Sequence, residues 1–87
     1  MYYVYVLKST IDGNLYFGYT TDLKERVFCH NAGKVKSTKG RRPLKLVYYE
    51  AYLSKLDATK REFDIKKGQQ REIIKERLKN SLTGGVA

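Results

Sequence analysis

The residues with the greatest chemical capability in this sequence fall within its first thirty positions. Five of the first nineteen residues are tyrosines, and Arg26 and His30 follow at a spacing of four. On a helix, that spacing places a guanidinium and an imidazole on the same face. A tyrosine is a feeble base unless neighbouring positive charge favours its phenolate, and Arg26 carries such a charge. Reactive phenols are therefore one interpretation of the tyrosines, and aromatic packing in strands is the other.

A single cysteine and a single histidine limit the metal chemistry of the chain. Cys29 has no partner for an internal disulfide, which is typical of a protein in a reducing cytoplasm. A zinc site made of cysteine and histidine is excluded, because such a site takes four ligands of these types. Any metal would have to be a hard cation held by carboxylates and water.

The charge balance predicts a polyanionic partner. Eighteen lysines and arginines against nine acidic residues give a net charge of +9 and an isoelectric point near 9.7. No acidic residue occurs from Arg26 to Tyr49, whereas this window holds a basic cluster that includes Lys34, Lys36, Lys39, Arg41 and Arg42. Nucleic acid is the natural partner of such a cluster, and Ser37 and Thr38 could add phosphate contacts. The alternative is a basic surface that serves solubility alone.

Two strands must position the tyrosines. Residues 2–8 are rich in β-branched and aromatic side chains, and residues 15–19 continue the pattern after the turn signal Asp12-Gly13-Asn14. A two-residue turn there would place Tyr5 on the same sheet face as Tyr16, leaving a purely apolar opposite face. A three-residue loop would reverse this relation. With the two-residue turn, the tyrosine face is a poor core and a plausible floor for a polar cleft.

Capping signals divide the rest of the chain. Asp22, with Glu25 three residues later, predicts a helix over about 23–31 that ends at Gly33. An exposed basic loop over 34–43 and a strand over 44–52 should follow. Ser54 predicts the start of a second helix, which Gly68 ends or kinks, and a short final helix follows.

The predicted order ββαβαα is that of an α+β protein with a small three-stranded sheet. We expect residues 1–80 to form one domain and residues 81–87 a flexible tail. No apolar run is long enough to span a bilayer, so we expect no membrane association.

Several of these features together resemble the GIY-YIG endonuclease family. The resemblance rests on Tyr3-Val4-Tyr5, Tyr16-Phe17-Gly18, Thr21-Asp22-Leu23, Arg26, His30-Asn31, the basic loop, "LVYYE", and "ATKREFDIKK" with Glu62, and it extends from about residue 2 to residue 78. It is greatest with the small single-domain bacterial members. It implies a three-stranded antiparallel sheet flanked by helices and cleavage of DNA with one divalent ion, Mg²⁺ or Mn²⁺.

The resemblance also implies a role for each matching residue. Tyr5 corresponds to the general base or water-positioning group, and Tyr16 to a group that positions water or phosphate. Arg26 would bind the scissile phosphate, with His30 as its frequent partner in the family. Glu62 corresponds to the metal ligand. Without the resemblance, each residue has a structural alternative, such as a surface ion pair between Glu62 and Lys66.

The sequence departs from the family pattern at a few positions. Tyr3-Val4 replaces Gly-Ile in the first tripeptide, and Phe17 replaces Ile in the second. The asparagine that some members carry after the metal ligand is missing, unless Gln69 or Gln70 replaces it. We expect an endonuclease of low sequence specificity that acts on branched or damaged DNA in repair or recombination. A targeting protein partner would be compatible with this, and the alternative function is a nucleic-acid-binding module that does not cleave.

Overall fold

The structure is a computed structural model that describes residues 1–82. Its elements are the strands β1 (Tyr2–Ser9), β2 (Leu15–Thr20) and β3 (Leu44–Tyr52), and the helices α1 (Leu23–Asn31), α2 (Lys55–Ile65), α3 (Gly68–Arg77) and α4 (Lys79–Leu82). A short 3-10 helix, Lys39–Arg41, lies between α1 and β3. The strands form one antiparallel sheet in the order β2-β1-β3, so the predicted α+β fold is confirmed.

The C-terminal part of the chain was predicted to be a tail from residue 81. Residues 81 and 82 belong to α4, and residues 83–87 lie outside the described residues. In the described part of the chain, no helix has both the length and the apolar character needed to cross a membrane.

The pairing of β1 with β2 sets the two faces of the sheet. Tyr5 lies opposite Gly18, and Val6 lies opposite Phe17. Because directly opposed residues project from the same face, Tyr5, Tyr16 and Gly18 share one face, as predicted.

The turn that produces this register is longer than predicted. The N–H of Ser9 donates to the carbonyl of Asn14 at 3.0 Å, so residues 10–13 form a four-residue loop instead of a two-residue turn. The Ser9 hydroxyl accepts hydrogen bonds from the N–H groups of Ile11 and Asp12 at 3.1 and 3.3 Å, which stabilises the wider loop. Loops of two and four residues differ by an even number, so the side chains keep their faces.

The main core lies between the sheet and the helices α2 and α3. Its buried residues are Val4, Val6, Leu15, Phe17, Ala58, Ile65, Ile74 and Leu78. Apolar side chains at alternate positions of β1 and β2 form the sheet side of this core, and apolar side chains of the helices form the other side. Gly68 lies at the first position of α3 and therefore marks the junction between the two helices.

A partly buried charge network fastens β3 to α2 on the same side. Arg61 donates from Nε and Nη2 to the two carboxylate oxygens of Glu50, at 2.8 and 3.1 Å. The hydroxyls of Tyr48 and Tyr52 also donate to Glu50, at 2.5 and 2.6 Å. Burial and the hydrogen bond to this carboxylate raise the pKa of Tyr52 to about 12. Gln70, one of the two residues considered as a replacement for the family's asparagine, accepts from Arg61 at 3.4 Å and so belongs to the same network.

Helix α1 covers the opposite face of the sheet. Asp22 caps it by accepting the N–H of Glu25 at 3.1 Å, and Gly33 follows its end with φ of 78°, a conformation that favours glycine. Asn31 then joins α1 to β3, because its side chain exchanges two hydrogen bonds with the backbone of Leu44, at 2.7 and 2.9 Å. The predicted bounds of α1 are confirmed.

The prediction that the tyrosine face is a poor core is wrong. Tyr5, Leu7 and Leu44 form a second, smaller core beneath α1, and partly buried Leu23 and Val27 of the helix pack on it. The helix lies close enough to the sheet to bury Tyr5. A buried phenol, and not an open cleft floor, is therefore the starting point for the chemistry of this face.

Candidate active site

The Tyr5 ring crosses the backbone of the edge strand β2 at Gly18. A Cβ atom built on Gly18 would lie 2.4 Å from both Cζ and the hydroxyl oxygen of Tyr5, well inside van der Waals contact. Only glycine leaves room for the phenol here. The glycine of Tyr16-Phe17-Gly18 thus has a steric role that follows from the position of Tyr5.

Arg26 and His30 meet at the Tyr5 hydroxyl, and Tyr16 packs beside them, so the four residues predicted to be catalytic form one cluster. Its oxygen lies 2.8 Å from Nε2 of His30, in a buried hydrogen bond. Nε of Arg26 donates to the same oxygen at 3.2 Å. The Tyr16 ring stands edge-on to His30 with centroids 4.9 Å apart, and lies 6.3 Å from the Tyr5 ring. Arg26 and His30 of α1 therefore both form a hydrogen bond with a phenol. The Asp22 carboxylate, one turn before Arg26, instead caps the helix.

The second ring nitrogen of His30 contacts a residue that the sequence analysis placed elsewhere. Nδ1 of His30 lies 2.7 Å from Oγ1 of Thr38, and both side chains are fully buried. Thr38 was considered a phosphate contact in an exposed loop, but its hydroxyl points into the protein. No spacing or composition distinguishes Thr38 from the exposed Ser37 beside it, so the sequence carries no signal for this contact.

Burial sets the protonation states of the cluster. It raises the pKa of Tyr5 by more than the hydrogen bond and charge of Arg26 lower it, so the phenol is neutral at pH 7. Arg26 therefore favours the phenolate, as expected, but in the free protein the effect of burial is larger. Burial and the charge of Arg26 lower the pKa of His30 to about 4, so the imidazole is neutral and can accept a proton.

The pKa of His30 should make stability depend on pH. The ordinary histidine pKa is 6.5, so between pH 6.5 and 4 the unfolded chain binds more protons than the folded one. Stability should therefore fall as the pH falls through this window, by on the order of 2 to 3 kcal/mol. His30 is the only histidine in the chain, so its NMR titration can be followed without ambiguity.

Two results would support this prediction. The imidazole signals should titrate with a midpoint near 4, and His30→Gln should flatten the pH dependence of the urea midpoint between pH 6.5 and 4. A midpoint close to 6.5 would contradict it.

Glu62 on α2 stands apart from the hydrogen-bonded cluster but acts on it electrostatically. Its Oε2 accepts from Nζ of Lys66 at 2.9 Å, which is the surface pair considered above, and its side chain is 26% exposed. After burial, the main cause, the charge of Glu62 also helps to raise the pKa of Tyr5. Glu62 is therefore partly accessible to solvent, and its charge reaches the Tyr5 phenol.

The donor set around Glu62 fits a magnesium-type ion. Within residues 1–82, no group of three or more histidine, cysteine, aspartate or glutamate side chains could hold a metal. Mg²⁺ does not require such a group, because it binds through one or two carboxylates, substrate phosphates and water. A partly exposed carboxylate whose charge reaches the phenol meets this requirement.

The predicted basic cluster is only partly available to a ligand. Lys34, Lys36, Lys39 and Arg42 are exposed. Arg41 instead pairs with Asp12 of the hairpin loop at 3.2 Å, and its carbonyl accepts from the Ser9 hydroxyl at 2.7 Å. Arg41 therefore fixes the loop to the sheet, and the four exposed residues form the basic surface.

Comparisons with known proteins agree with the fold. The family model described as "GIY-YIG catalytic domain" matches residues 1–78. A UPF0213 protein of Staphylococcus haemolyticus is 48% identical over 80 residues, covering 87% of this chain and 96% of that protein. A UPF0213 protein of Staphylococcus epidermidis is 47% identical over 75 residues, covering 85% and 90%.

A solved structure resembles the chain as well. It is the solution NMR structure of a UPF0213 protein from Bacillus halodurans, with a TM-score of 0.54 and 40% identity. The match covers 85% of this chain and 82% of that one. The ordered tyrosines, the Arg26–His30 pair and a family match over nearly all the described residues lead to one conclusion: the chain belongs to the GIY-YIG family and carries its nuclease-type catalytic domain.

Proposed function

We propose that the protein is a metal-dependent endonuclease that hydrolyses phosphodiester bonds in DNA with low intrinsic sequence specificity. The observation that carries this proposal is the buried cluster in which Arg26 and His30 both hydrogen bond to the Tyr5 hydroxyl. The net charge of +9 favours a polyanionic substrate. Branched or damaged DNA, in repair or recombination, is the substrate class we favour, and the cytoplasm is the compartment we propose.

In this mechanism Tyr5 and His30 act together as the base. The neutral Tyr5 cannot take a proton from water while it keeps its own. The Tyr5 proton therefore passes to Nε2 of His30, 2.8 Å away, as the phenol oxygen accepts a proton from the attacking water. His30 is available for this transfer because its imidazole is neutral at pH 7, and the imidazolium that forms can later return the proton.

Arg26 would bind the scissile phosphate. Its Nε is used by Tyr5, so phosphoryl oxygens would bind at its terminal nitrogens, which lie toward Tyr16. The hydrogen bond to Tyr5 raises the pKa of Arg26, and the nearby Tyr16 phenol raises it further, so the guanidinium stays charged. Tyr16 would orient water or phosphate beside Arg26.

Glu62 would hold the metal ion, Mg²⁺ or Mn²⁺. When bound, the ion would supply charge stabilisation for the phosphoryl and leaving oxygens. The carboxylate would exchange its contact with Lys66 for the ion, which leaves Lys66 free to contact a phosphate. The exposed Lys34, Lys36, Lys39 and Arg42 would bind the backbone of the nucleic acid, which fixes its position without reading sequence. A targeting protein partner would then supply the choice of site.

One observation favours a second candidate, a binding module that does not cleave. Tyr5 is fully buried and Glu62 is paired with Lys66, so the phenol and the carboxylate are both engaged in the free protein. A module of this kind needs only the basic surface, and its affinity should depend steeply on salt.

Cleavage assays with a carboxylate variant separate the two candidates. Labelled single-stranded, duplex and branched DNA would be incubated with Mg²⁺ or Mn²⁺, and with EDTA. We expect metal-dependent cleavage, reduced about 100-fold or more in Glu62→Gln, because the variant lacks the charge that binds the ion. Glu72→Gln is the matched control, since Glu72 also pairs with a lysine but on the exposed surface of α3, and it should cleave normally. Salt-sensitive binding without cleavage in any metal would establish the binding module instead.

A further inference from the structure

Thr38 is in a position to determine which nitrogen of His30 carries the proton. In a neutral imidazole one nitrogen donates and the other accepts, and the partner of one nitrogen fixes the role of the other. Here Nε2 faces the Tyr5 hydroxyl and Nδ1 faces the Thr38 hydroxyl. The role of Nε2 in the proposed reaction therefore depends on a residue that never touches the substrate.

The hydrogen-bond directions favour one arrangement. Besides contacting His30, the Thr38 hydroxyl can donate to the carbonyl of Val35, 3.5 Å away, which leaves its oxygen to accept Nδ1–H. Nε2 then accepts the Tyr5 proton, and Tyr5 accepts from Arg26, so that every donor has an acceptor. In the reverse arrangement Nε2 donates to Tyr5, whose own proton then lacks an acceptor among the contacts of the described residues.

The position of Thr38 is itself fixed by the fold. Its carbonyl accepts the N–H of Arg41 at 2.9 Å, and its N–H donates to Val35 at 3.1 Å. Arg41 is in turn held by Ser9 and Asp12, at the end of β1 and in the hairpin loop. The hydroxyl is therefore preorganised, which is what a group that orients a catalytic side chain requires.

We propose that Thr38 is a positioning residue that holds His30 in its Nδ1–H form and so presents the Nε2 lone pair to the Tyr5 proton. This inference rests on the proposed function for its catalytic consequence but not for the protonation state itself. Thr38 fulfils this role from within the basic loop between α1 and β3. The loop thus contributes to the chemistry as well as to binding.

Long-range ¹H–¹⁵N NMR of the single histidine tests the protonation state directly, because protonated and unprotonated ring nitrogens have well-separated shifts. The wild type should show Nδ1 protonated and Nε2 unprotonated at pH 7. In Thr38→Val, which keeps the shape but not the hydroxyl, the proton should move wholly or partly to Nε2, where the Tyr5 oxygen can accept it. Thr38→Ser should restore the wild-type spectrum, and Ser37→Ala should not alter it.

Cleavage rates complete the test. We expect the cleavage rate of Thr38→Val to be roughly 10-fold or more below that of the wild type, which is the lower end of the range for loss of an orienting partner. Thr38→Ser should recover the wild-type rate. A wild-type spectrum with Nε2 protonated would overturn the proposal even if Thr38→Val failed to fold. So would a Thr38→Val spectrum identical to that of the wild type. A chain that cleaves no DNA would refute the nuclease function, while the spectra would still decide the role of Thr38.

Discussion

Replacement of Tyr5 by phenylalanine is expected to reduce DNA cleavage by about 100-fold or more, the range for loss of a general base. The substitution removes the one oxygen at which Arg26 and His30 meet, and keeps the ring that packs over Gly18. Without the Tyr5 hydroxyl, neither the attacking water nor His30 has a partner for proton transfer. The variant should also lose about 1–3 kcal/mol of folding stability, because buried groups are left without a partner.

The control for this variant lies on the same strand and face. Tyr3→Phe removes a hydroxyl from a half-buried ring, whose one aromatic contact among the described residues is Tyr49. This variant should cleave DNA like the wild type. Single-turnover rates with enzyme in excess would compare the chemical step in both variants. Retention of full activity in Tyr5→Phe would remove Tyr5 from the mechanism and leave it as a core aromatic.

Replacement of Gly18 by alanine should disturb both stability and activity, although it adds one methyl group. The new Cβ would lie 2.4 Å from the Cζ and hydroxyl oxygen of Tyr5, so the ring or strand β2 must move. Overpacking of this kind costs about 1–3 kcal/mol. Because the displaced atom is the Tyr5 hydroxyl, its hydrogen bonds to Arg26 and His30 should be lost as well, and cleavage should fall with stability.

A second glycine and a double variant make the test specific. Gly40→Ala, where a Cβ meets no atom within 4 Å, should leave the unfolding midpoint in urea almost unchanged. In a Tyr5→Ala background, the added methyl of Gly18→Ala should cost much less than it does in the wild type. Equal costs in the two backgrounds would show that Tyr5 is not the group that excludes a side chain at Gly18.

The elements of this fold were predictable where a local signal determines them. Asp22 and Gly33 bound α1 because a cap and a left-handed glycine act within one turn of the chain. The faces of β1 and β2 followed from alternation, since one face is purely apolar. The clustering of Tyr5 with Arg26 and His30 could be anticipated because resemblance to a family joined residues that lie far apart in sequence.

Features that depend on tertiary contacts were not predictable. Tyr5 is buried, and its pKa is raised, because α1 packs closely on the sheet. The residues of β1 alone do not indicate how close this packing is. The burial of Thr38 depends on the loop being drawn to Ser9 through Arg41. The Glu50–Arg61 pair joins a strand to a helix, and no local pattern around either residue indicates that the two side chains meet.

The loop between β1 and β2 has a consequence for how such sequences can change in length. Four residues give the same side-chain faces as two, since each added pair moves the pairing along without rotating it. If the loop keeps four residues, a single inserted or deleted residue turns Tyr16 and Gly18 away from Tyr5. A loop of three or five residues, or a β-bulge, leaves these residues on the face of Tyr5. The hairpin tip can therefore change in length without disturbing the cluster around Tyr5, provided that the change stays within the loop.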